Sequence, residues 1–571
     1  MSPYFQAIAV DFDGTITELG RPSARTLAAL SEVRAAGVKT LLVTGRVVTD
    51  LMHVFPDAEQ WFDVIVAENG AVIRRDGVSH ALTSPVPLEL DEPLVAQGVY
   101  FQRGQVLLAC SGDDELTVLR EVRRLEADCQ LVRNRAALMV LPSEVSKGWG
   151  LAEALKGLGV SYHSTIGIGD AENDLSLFRH CELGVAVGNA VESLKREADI
   201  VLSGSDGVAV ADFLQNQLLV EESLPPSRRW RVTIGLLDDG SGVSLPASRV
   251  NILFVGGSGV GKSYAAGLLA ERLIELDYSV CFIDPEGDHA PLRRLPKVLT
   301  VGGRGLLPDA RDVPKLMSQQ LGSVIVDLSF LAEAERTPYT AELLRALREE
   351  RSNSCLPHWI MIDEAHMPFG AGGEVCGMLG GQKGLCLVTY DATRLCRSSG
   401  LAFDFLVAIP GQEGLDPAAA ESIRELSGID PFGEFSDPKQ GEAWLVRLDG
   451  PPRAERFRLG RRFVRHVRHW HKYAEARLPP ARVFRFRSFS GPSGAQADNL
   501  SAFRRELLLC DSKVLQHHAA NHDFSHWLEH AISDETLARV AHELEKHGAV
   551  DGSFEDLRRG LVEAIEDRYL G

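Results

Sequence analysis

Strand-length apolar runs that stop at acidic or glycine-rich segments recur along this chain, and they fall into two sets. The first begins with Ala7–Val10, which ends in Asp11-Phe12-Asp13-Gly14-Thr15. The second begins with Asn251–Val255, which runs into Gly256-Gly257-Ser258-Gly259-Val260-Gly261-Lys262-Ser263. A short continuous apolar run fits a strand buried on both faces of a parallel sheet, with helices covering those faces. Two such sets predict two α/β units. A chain of 571 residues has room for roughly three or four domains.

The remaining runs place further strands. Thr40–Val43, Val64–Val66, Thr165–Ile168 and Gly184–Val187 join the first set, with helical periodicity over Ser23–Ala36 and Lys147–Leu158. Between Pro85 and Glu144 the rhythm shortens into an α+β insert, expected to lie over the site. Val280–Ile283, Ser323–Asp327, Trp359–Ile362, Leu385–Thr389 and Phe405–Ile409 belong to the second set. Pro225-Pro226 marks a linker. The predicted organisation is a Rossmann-like α/β core (1–84 and 145–220) with a small cap (85–144). A second α/β domain (228–458) and a mainly helical C-terminal domain (461–571) follow.

The first set carries phosphoryl-transfer chemistry. Asp11 sits at a strand tip, where its carboxylate can attack phosphorus and hold Mg²⁺. Asp13 can protonate the leaving oxygen and then activate water. Thr44-Gly45-Arg46 offers a hydroxyl and backbone N–H groups to phosphate oxygens, and Lys147 opposes the developing negative charge. Gly169-Asp170-Ala171-Glu172-Asn173-Asp174 adds the hard oxygen ligands that Mg²⁺ requires.

The segments DFDGT, LLVTGR, the lysine of SKG and GIGDAEND resemble, in order, the four motifs of the haloacid dehalogenase superfamily, in particular its phosphatases with a type IIB cap. Glu68-Asn69-Gly70-Ala71 and Gly184–Ala190 are similar to further segments of that group. The resemblance implies Asp11 as nucleophile, Asp13 as acid and base, and Thr44 and Lys147 as phosphate ligands. It places Mg²⁺ on Asp11, Asp170, Asp174 and the backbone oxygen of Asp13, with Asn173 in support. An insert of roughly 60 residues is small for this cap type; caps of that size occur in phosphoglycolate- and sugar-phosphate-type phosphatases.

In the second set, a strand, G-x-x-x-x-G-K-S and a helix form the context of an ATP-binding loop. Gly256, Gly257, Ser258, Gly259, Val260 and Gly261 cradle phosphates, Lys262 reaches the β/γ oxygens, and Ser263 ligates Mg²⁺. The buried strand Trp359–Ile362 ends in Asp363 and Glu364, suited to holding Mg²⁺ through water and to polarising the attacking water. This segment resembles the HerA/FtsK-like ATPases through Cys281–Asp288, Gln320–Ser329, Asp363-Glu364-Ala365-His366 and Gly441–Val446. It departs from them where a polar sensor, often Gln, is expected: Thr389 or Asp391 stands there instead. The resemblance implies a trans-acting arginine among Arg345, Arg348, Arg351 and Arg394.

Beyond Arg461 the sequence is rich in Arg, His and Trp. His517 with Asp523, or His522 with His526, have usable metal spacing, though helical packing with surface histidines is the plainer explanation. Between Arg453 and Arg487 twelve Arg/Lys face only Glu455 and Glu475, a local excess of +10. It suits a solvated or intersubunit face, or contact with a phosphate-rich partner. The overall net charge of −19 argues against a surface that generally coats nucleic acid. The nine cysteines form no C-x-x-C pair, and no apolar run reaches the ~20 residues of a membrane span. These features predict a cytoplasmic protein.

The expectation is an Mg²⁺-dependent phosphatase of a small phosphorylated molecule, joined to an ATP-binding and hydrolysing domain in a homo-oligomer, with a hexamer implied by the family. Two alternatives stay open. One is a ring translocase whose phosphatase acts on nucleotides or nucleic-acid ends; the other is a nucleotide-sensing oligomerisation module with little turnover.

Overall fold

The computed structural model of the protein describes residues 4–17, 20–134, 136–219, 224–369, 375, 377–395, 400–411, 414–431, 441–448, 450–451, 453–464, 478–489, 491–532, 534–551 and 554–566. His466, His469 and His471, and Arg465, Arg468, Lys472 and Arg477 of the basic stretch, lie outside the described residues.

The first sheet is built around β1 (Ala7–Asp11), flanked in parallel by β2 (Lys39–Val43), then β3 (Val64–Ala67). Antiparallel β4 (Val72–Arg75) and β5 (Val78–Ala81) complete that side. The insert follows as β6 (Phe101–Arg103), β7 (Leu108–Ser111), β8 (Cys129–Asn134) and β9 (Ala137–Pro142). These four form a separate antiparallel sheet in the order β6-β7-β9-β8, over a core that includes Leu90, Leu108, Val118 and Val140. The chain then returns with β10 (Thr165–Gly169), β11 (Leu183–Ala186) and β12 (Ile200–Val201) on the other side of β1. Because β1, β2 and β10 run parallel, Asp11, Thr44 and Asp170 arrive at one edge of the sheet. Helix α1 (Ala24–Ala35) is capped by Ser23, and α2 (Lys147–Leu158) by Ser146, whose side chain accepts from Trp149 N. That cap fixes Lys147 as the first helical residue.

The second sheet has eleven strands among the described residues. They are β13 (Arg231–Leu236), β14 (Gly242–Pro246), β15 (Asn251–Val255), β16 (Val280–Asp284), β17 (Val298–Gly302), β18 (Ser323–Asp327), β19 (Trp359–Ile362), β20 (Leu385–Thr389), β21 (Phe405–Ala408), β22 (Glu442–Arg447) and β23 (Arg453–Leu459). The order is β14-β13-β23-β22-β21-β15-β20-β19-β16-β18-β17. From β21 to β17 the strands are parallel, and β20 lies between β15 and β19. One apolar cluster covers each face. Helix α3 (Lys262–Glu275) follows the glycine-rich loop, and α4 (Glu333–Ser354) covers one face of the sheet. The basic stretch is partly absorbed here. Arg462 pairs with buried Glu271 at 2.6 Å, and Arg456 with Asp238 at 3.0 Å.

The C-terminal module is mainly helical, as expected, and adds one hairpin ahead of its helices. Phe484-Arg485-Phe486-Arg487 alternates, and it forms β24 (Phe484–Ser488), paired with β25 (Gly491–Ala497). Phe484 and Phe486 turn inward against Phe503, and Arg485 faces out. Helices α5 (Leu500–Leu509), α6 (Ser512–Ala520), α7 (Asp523–His530), α8 (Glu535–Asp551) and α9 (Phe554–Ile565) close the core. Among the described residues no helix is long and apolar enough to cross a membrane.

The two large sheets meet through their amino-terminal edges. Glu182, just before β11, is fully buried; it accepts from Tyr278 Oη at 2.7 Å and from Ser248 Oγ. His163 stacks on Tyr278 with ring centroids 3.6 Å apart. Its ring nitrogens lie 2.7 Å from Glu182 Oε2 and 2.6 Å from the Leu276 carbonyl. Ser164 meets His358, and Gln6 Nε2 donates to the Asn353 carbonyl at 2.5 Å. The Arg249 guanidinium lies over Tyr4 and Phe5.

Candidate functional sites

At the carboxyl edge of the first sheet, Asp11, Asp170 and Asp174 bring carboxylate oxygens within 4.8 Å of one another. Their exposures are 4%, 1% and 0%. Fully buried Lys147 donates from Nζ to Asp11 Oδ1 at 2.6 Å and to Asp174 Oδ1 at 2.7 Å. Burial works against the Lys147 charge, but Asp11 and Asp174 outweigh it and its pKa is raised. Burial also pushes the Asp11 carboxyl well up, against the lowering pull of Lys147, and the like charges of Asp174 and Asp170 push it the same way as burial. Three buried carboxylates against one ammonium leave negative charge, and the donor set is all oxygen. That arrangement fits Mg²⁺. Thr15 Oγ1 reaches both Asp11 and Asp170, at 3.4 and 3.3 Å.

Asp174 Oδ2 is held by the backbone N–H groups of Asp170 and Ala171, at 2.9 and 3.0 Å. Its Oδ1 faces the cluster. Thr44 is buried at the end of β2, where its Oγ1 accepts from Arg46 N at 3.1 Å. Asp13 lies off the cluster, its carboxylate held by the Arg46 guanidinium through bonds of 2.7 and 2.6 Å. Arg46 also binds Asp50 and lies over the Phe12 ring. Sequence reasoning used only the backbone at position 46; an arginine beside the hydroxyl of Thr44 was the available clue.

Glu68 has a structural role that its motif does not announce. Its buried carboxylate accepts from the backbone of Gln105, Val106 and Leu107 at 2.9, 2.8 and 3.1 Å, tying the insert to the core. Next to it, Gly70 has φ +106°, and a Cβ there would lie 2.0 Å from the Ser146 carbonyl oxygen. Only glycine lets this turn approach the start of α2. Asn173 Nδ2 donates to Asn69 Oδ1 at 3.2 Å.

The glycine-rich loop lies at the carboxyl edge of the second sheet. Gly259 and Gly261 have φ of +82° and +109°. Lys262 Nζ folds onto the Gly257 carbonyl at 2.7 Å. Asp363 lies beside the Ser263 hydroxyl and meets His289 Nε2 at 3.1 Å. Burial opposes the Asp363 charge, yet these neighbours hold its pKa low. Its Oδ1 accepts from Glu364 N at 2.9 Å, and Glu364 takes φ +47°. The loop serine and the acid at the end of β19 are thus brought together across the intervening β20.

Arg351 and both sensor candidates have partners within the chain. Arg351 is not free to act in trans: its guanidinium donates to the carbonyls of Pro357, His358, Lys383 and Gly384. The sensor candidates are engaged locally as well. Thr389 Oγ1 donates to the Asp391 carbonyl, and Asp391 caps the next turn through Thr393.

The sites sit at the carboxyl edges of both sheets, and the sheets join at their amino edges. Strands of five residues span ~16 Å each, so the sites are on the order of 30 Å apart.

Among known families, the model of haloacid dehalogenase-like hydrolases matches residues 8–121 and 122–214. The model of the helicase HerA central domain matches residues 234–309. A phosphoglycolate phosphatase from Archaeoglobus fulgidus is 32% identical over 227 residues, covering 37% of this chain and 96% of that protein. One from Methanothermobacter thermautotrophicus is 31% identical over 220 residues, covering 37% and 97%. A solved haloacid dehalogenase-like hydrolase from B. subtilis is 21% identical, with a TM-score of 0.32, covering 38% of this chain and 100% of that one.

Proposed function

We propose a function from one premise: the chain belongs to the haloacid dehalogenase-like hydrolase family. Its first module is a phosphomonoester hydrolase. An Asp11 oxygen attacks phosphorus as the bond to the leaving oxygen breaks, and Asp13 gives that oxygen its proton. Water then attacks the aspartyl-phosphate, Asp13 takes a proton from it, and Asp11 is released with inorganic phosphate. Thr44 and Lys147 hold phosphate oxygens throughout. Asp11, Asp170, Asp174 and the backbone oxygen of Asp13 would hold Mg²⁺, which when bound offsets charge on the phosphoryl group. The observation that carries this reading is fully buried Lys147 bridging Asp11 and Asp174. The relatives named as phosphoglycolate phosphatases support a small carboxylated phosphomonoester as substrate.

The second module binds and hydrolyses ATP, with Lys262 on the phosphates, Ser263 and Asp363 toward Mg²⁺, and Glu364 toward water. The contact between Ser263 and Asp363 supports it. The module works in a homo-oligomer. Sites on opposite edges cannot hand phosphate to one another, so nucleotide state reaches the phosphatase through the buried interface. The local engagement of Thr389 and Asp391 favours a second reading, in which the module senses nucleotide with slow turnover.

The test is a screen of phosphoglycolate, sugar phosphates, nucleotides and 5′-phosphorylated DNA ends, with and without ATP. Mg²⁺-dependent phosphate release from phosphoglycolate, altered by ATP, is expected. Release from DNA ends alone would favour a nucleic-acid role instead.

A further inference from the structure

The C-terminal module holds a cluster that neither phosphate site uses. His522 closes the turn between α6 and α7, and His542 and Glu545 lie three residues apart on α8, on one face of that helix. A nitrogen from each imidazole and a Glu545 oxygen lie within 4.8 Å of one another. Glu545 is fully buried. Its Oε1 accepts from Phe524 N at 2.9 Å and Ser525 N at 3.3 Å, which caps the first turn of α7. Its Oε2 accepts from Ser525 Oγ at 2.6 Å and faces His522 Nδ1 at 3.4 Å.

Capping accounts for the carboxylate but not for the two imidazoles. The rings lie 4.7 Å apart and tilted by 46°, and the 3.4 Å contact of His522 is a long hydrogen bond. His522 also holds φ +55°, in the left-handed region where Gly or Asn sits at lower cost.

We propose that His522, His542 and Glu545 form a Zn²⁺ site, with a fourth position open to solvent beside half-buried His522. Two imidazole nitrogens and one carboxylate oxygen are a donor set that Zn²⁺ takes. The cation would offset the charge of the fully buried Glu545 carboxylate. Bound metal pins the α6–α7 turn to α8 and makes the module's stability depend on zinc. The adjacent trio His517, His518 and Asp523 is a weaker candidate. His518 Nε2 accepts from Arg487 N at 2.9 Å and Nδ1 lies 2.7 Å from Asp523 Oδ2, so both ring nitrogens are already used.

The test titrates the full-length protein with Co²⁺ as a spectroscopic stand-in, in excess Mg²⁺ to fill the all-oxygen sites. The proposal expects an intense visible band of four-coordinate Co²⁺, saturating at a single equivalent and displaced by Zn²⁺. The band disappears in His542→Ala, whose circular dichroism stays that of the wild type because half-buried His542 caps nothing. It persists in His517→Ala. No band in the wild type, a band retained in His542→Ala, or a band lost in His517→Ala would overturn the assignment.

Discussion

The Tyr278 hydroxyl, just before β16, donates to Oε2 of Glu182, just before β11, at 2.7 Å. Burial and the nearby Glu182 push the phenol's pKa well up, so it stays a donor. This bond joins the sheet of the phosphatase site to that of the nucleotide site in a buried interface. Tyr278→Phe removes the donor and leaves a buried carboxylate oxygen undersupplied. The expected cost is about 1–3 kcal/mol in urea unfolding, with both ligand sites intact. An unchanged midpoint would show that the interface does not depend on this bond.

His358, at the same interface, predicts a pH response. Burial holds its pKa well below the ordinary value. Its Nδ1 accepts from Ser279 N at 2.9 Å, so the neutral ring carries its proton on Nε2, toward Ser164. The unfolded chain takes up a proton near pH ~6.5 while the folded one does not. Stability from this residue is therefore complete above that pH and is lost as pH falls below it, by up to ~1.4 kcal/mol per unit. Denaturation between pH 7.5 and about 5.5 reads this slope, and His358→Asn flattens it.

Lys147→Ala strands three buried carboxylates. Phosphate release is expected to fall by roughly 10²–10³-fold or more, on the scale of losing one preorganised charge contact. Steady-state kinetics at saturating Mg²⁺ measures it. Wild-type kcat in the variant would remove Lys147 from the site.

Much of this was legible in the sequence because parallel strands buried on both faces give unbroken apolar runs, and chemistry collects at their ends. Asp11, Thr44, Asp170, Lys262 and Asp363 all follow from that one rule. What was missed obeys weaker rules. Strand β17 (Val-Leu-Thr-Val-Gly) is partly exposed at a sheet edge, and β23 alternates charged and apolar residues like any half-exposed strand. The Arg46–Asp13 pairing and the Glu68 tether depend on side-chain reach, which a motif does not encode. The Glu182–His163–Tyr278 cluster draws residues about 20 and 100 positions apart into contact, and nothing local announces it.

Lys262→Ala tests the independence of the two sites. ATP hydrolysis is expected to fall below detection, while basal phosphatase kcat, measured without ATP, stays within about twofold, because the sites are on the order of 30 Å apart. ATP turnover unchanged from wild type would contradict the glycine-rich loop as the nucleotide site.

The most direct measurement is phosphate release by Asp11→Asn, paired with nucleotide affinity in the same preparation. The two-site account predicts a loss of at least ~10³-fold in phosphatase kcat, as expected when a covalent nucleophile is removed, with ATP affinity unchanged. Phosphate release at the wild-type rate, or loss of ATP binding in this variant, would contradict it.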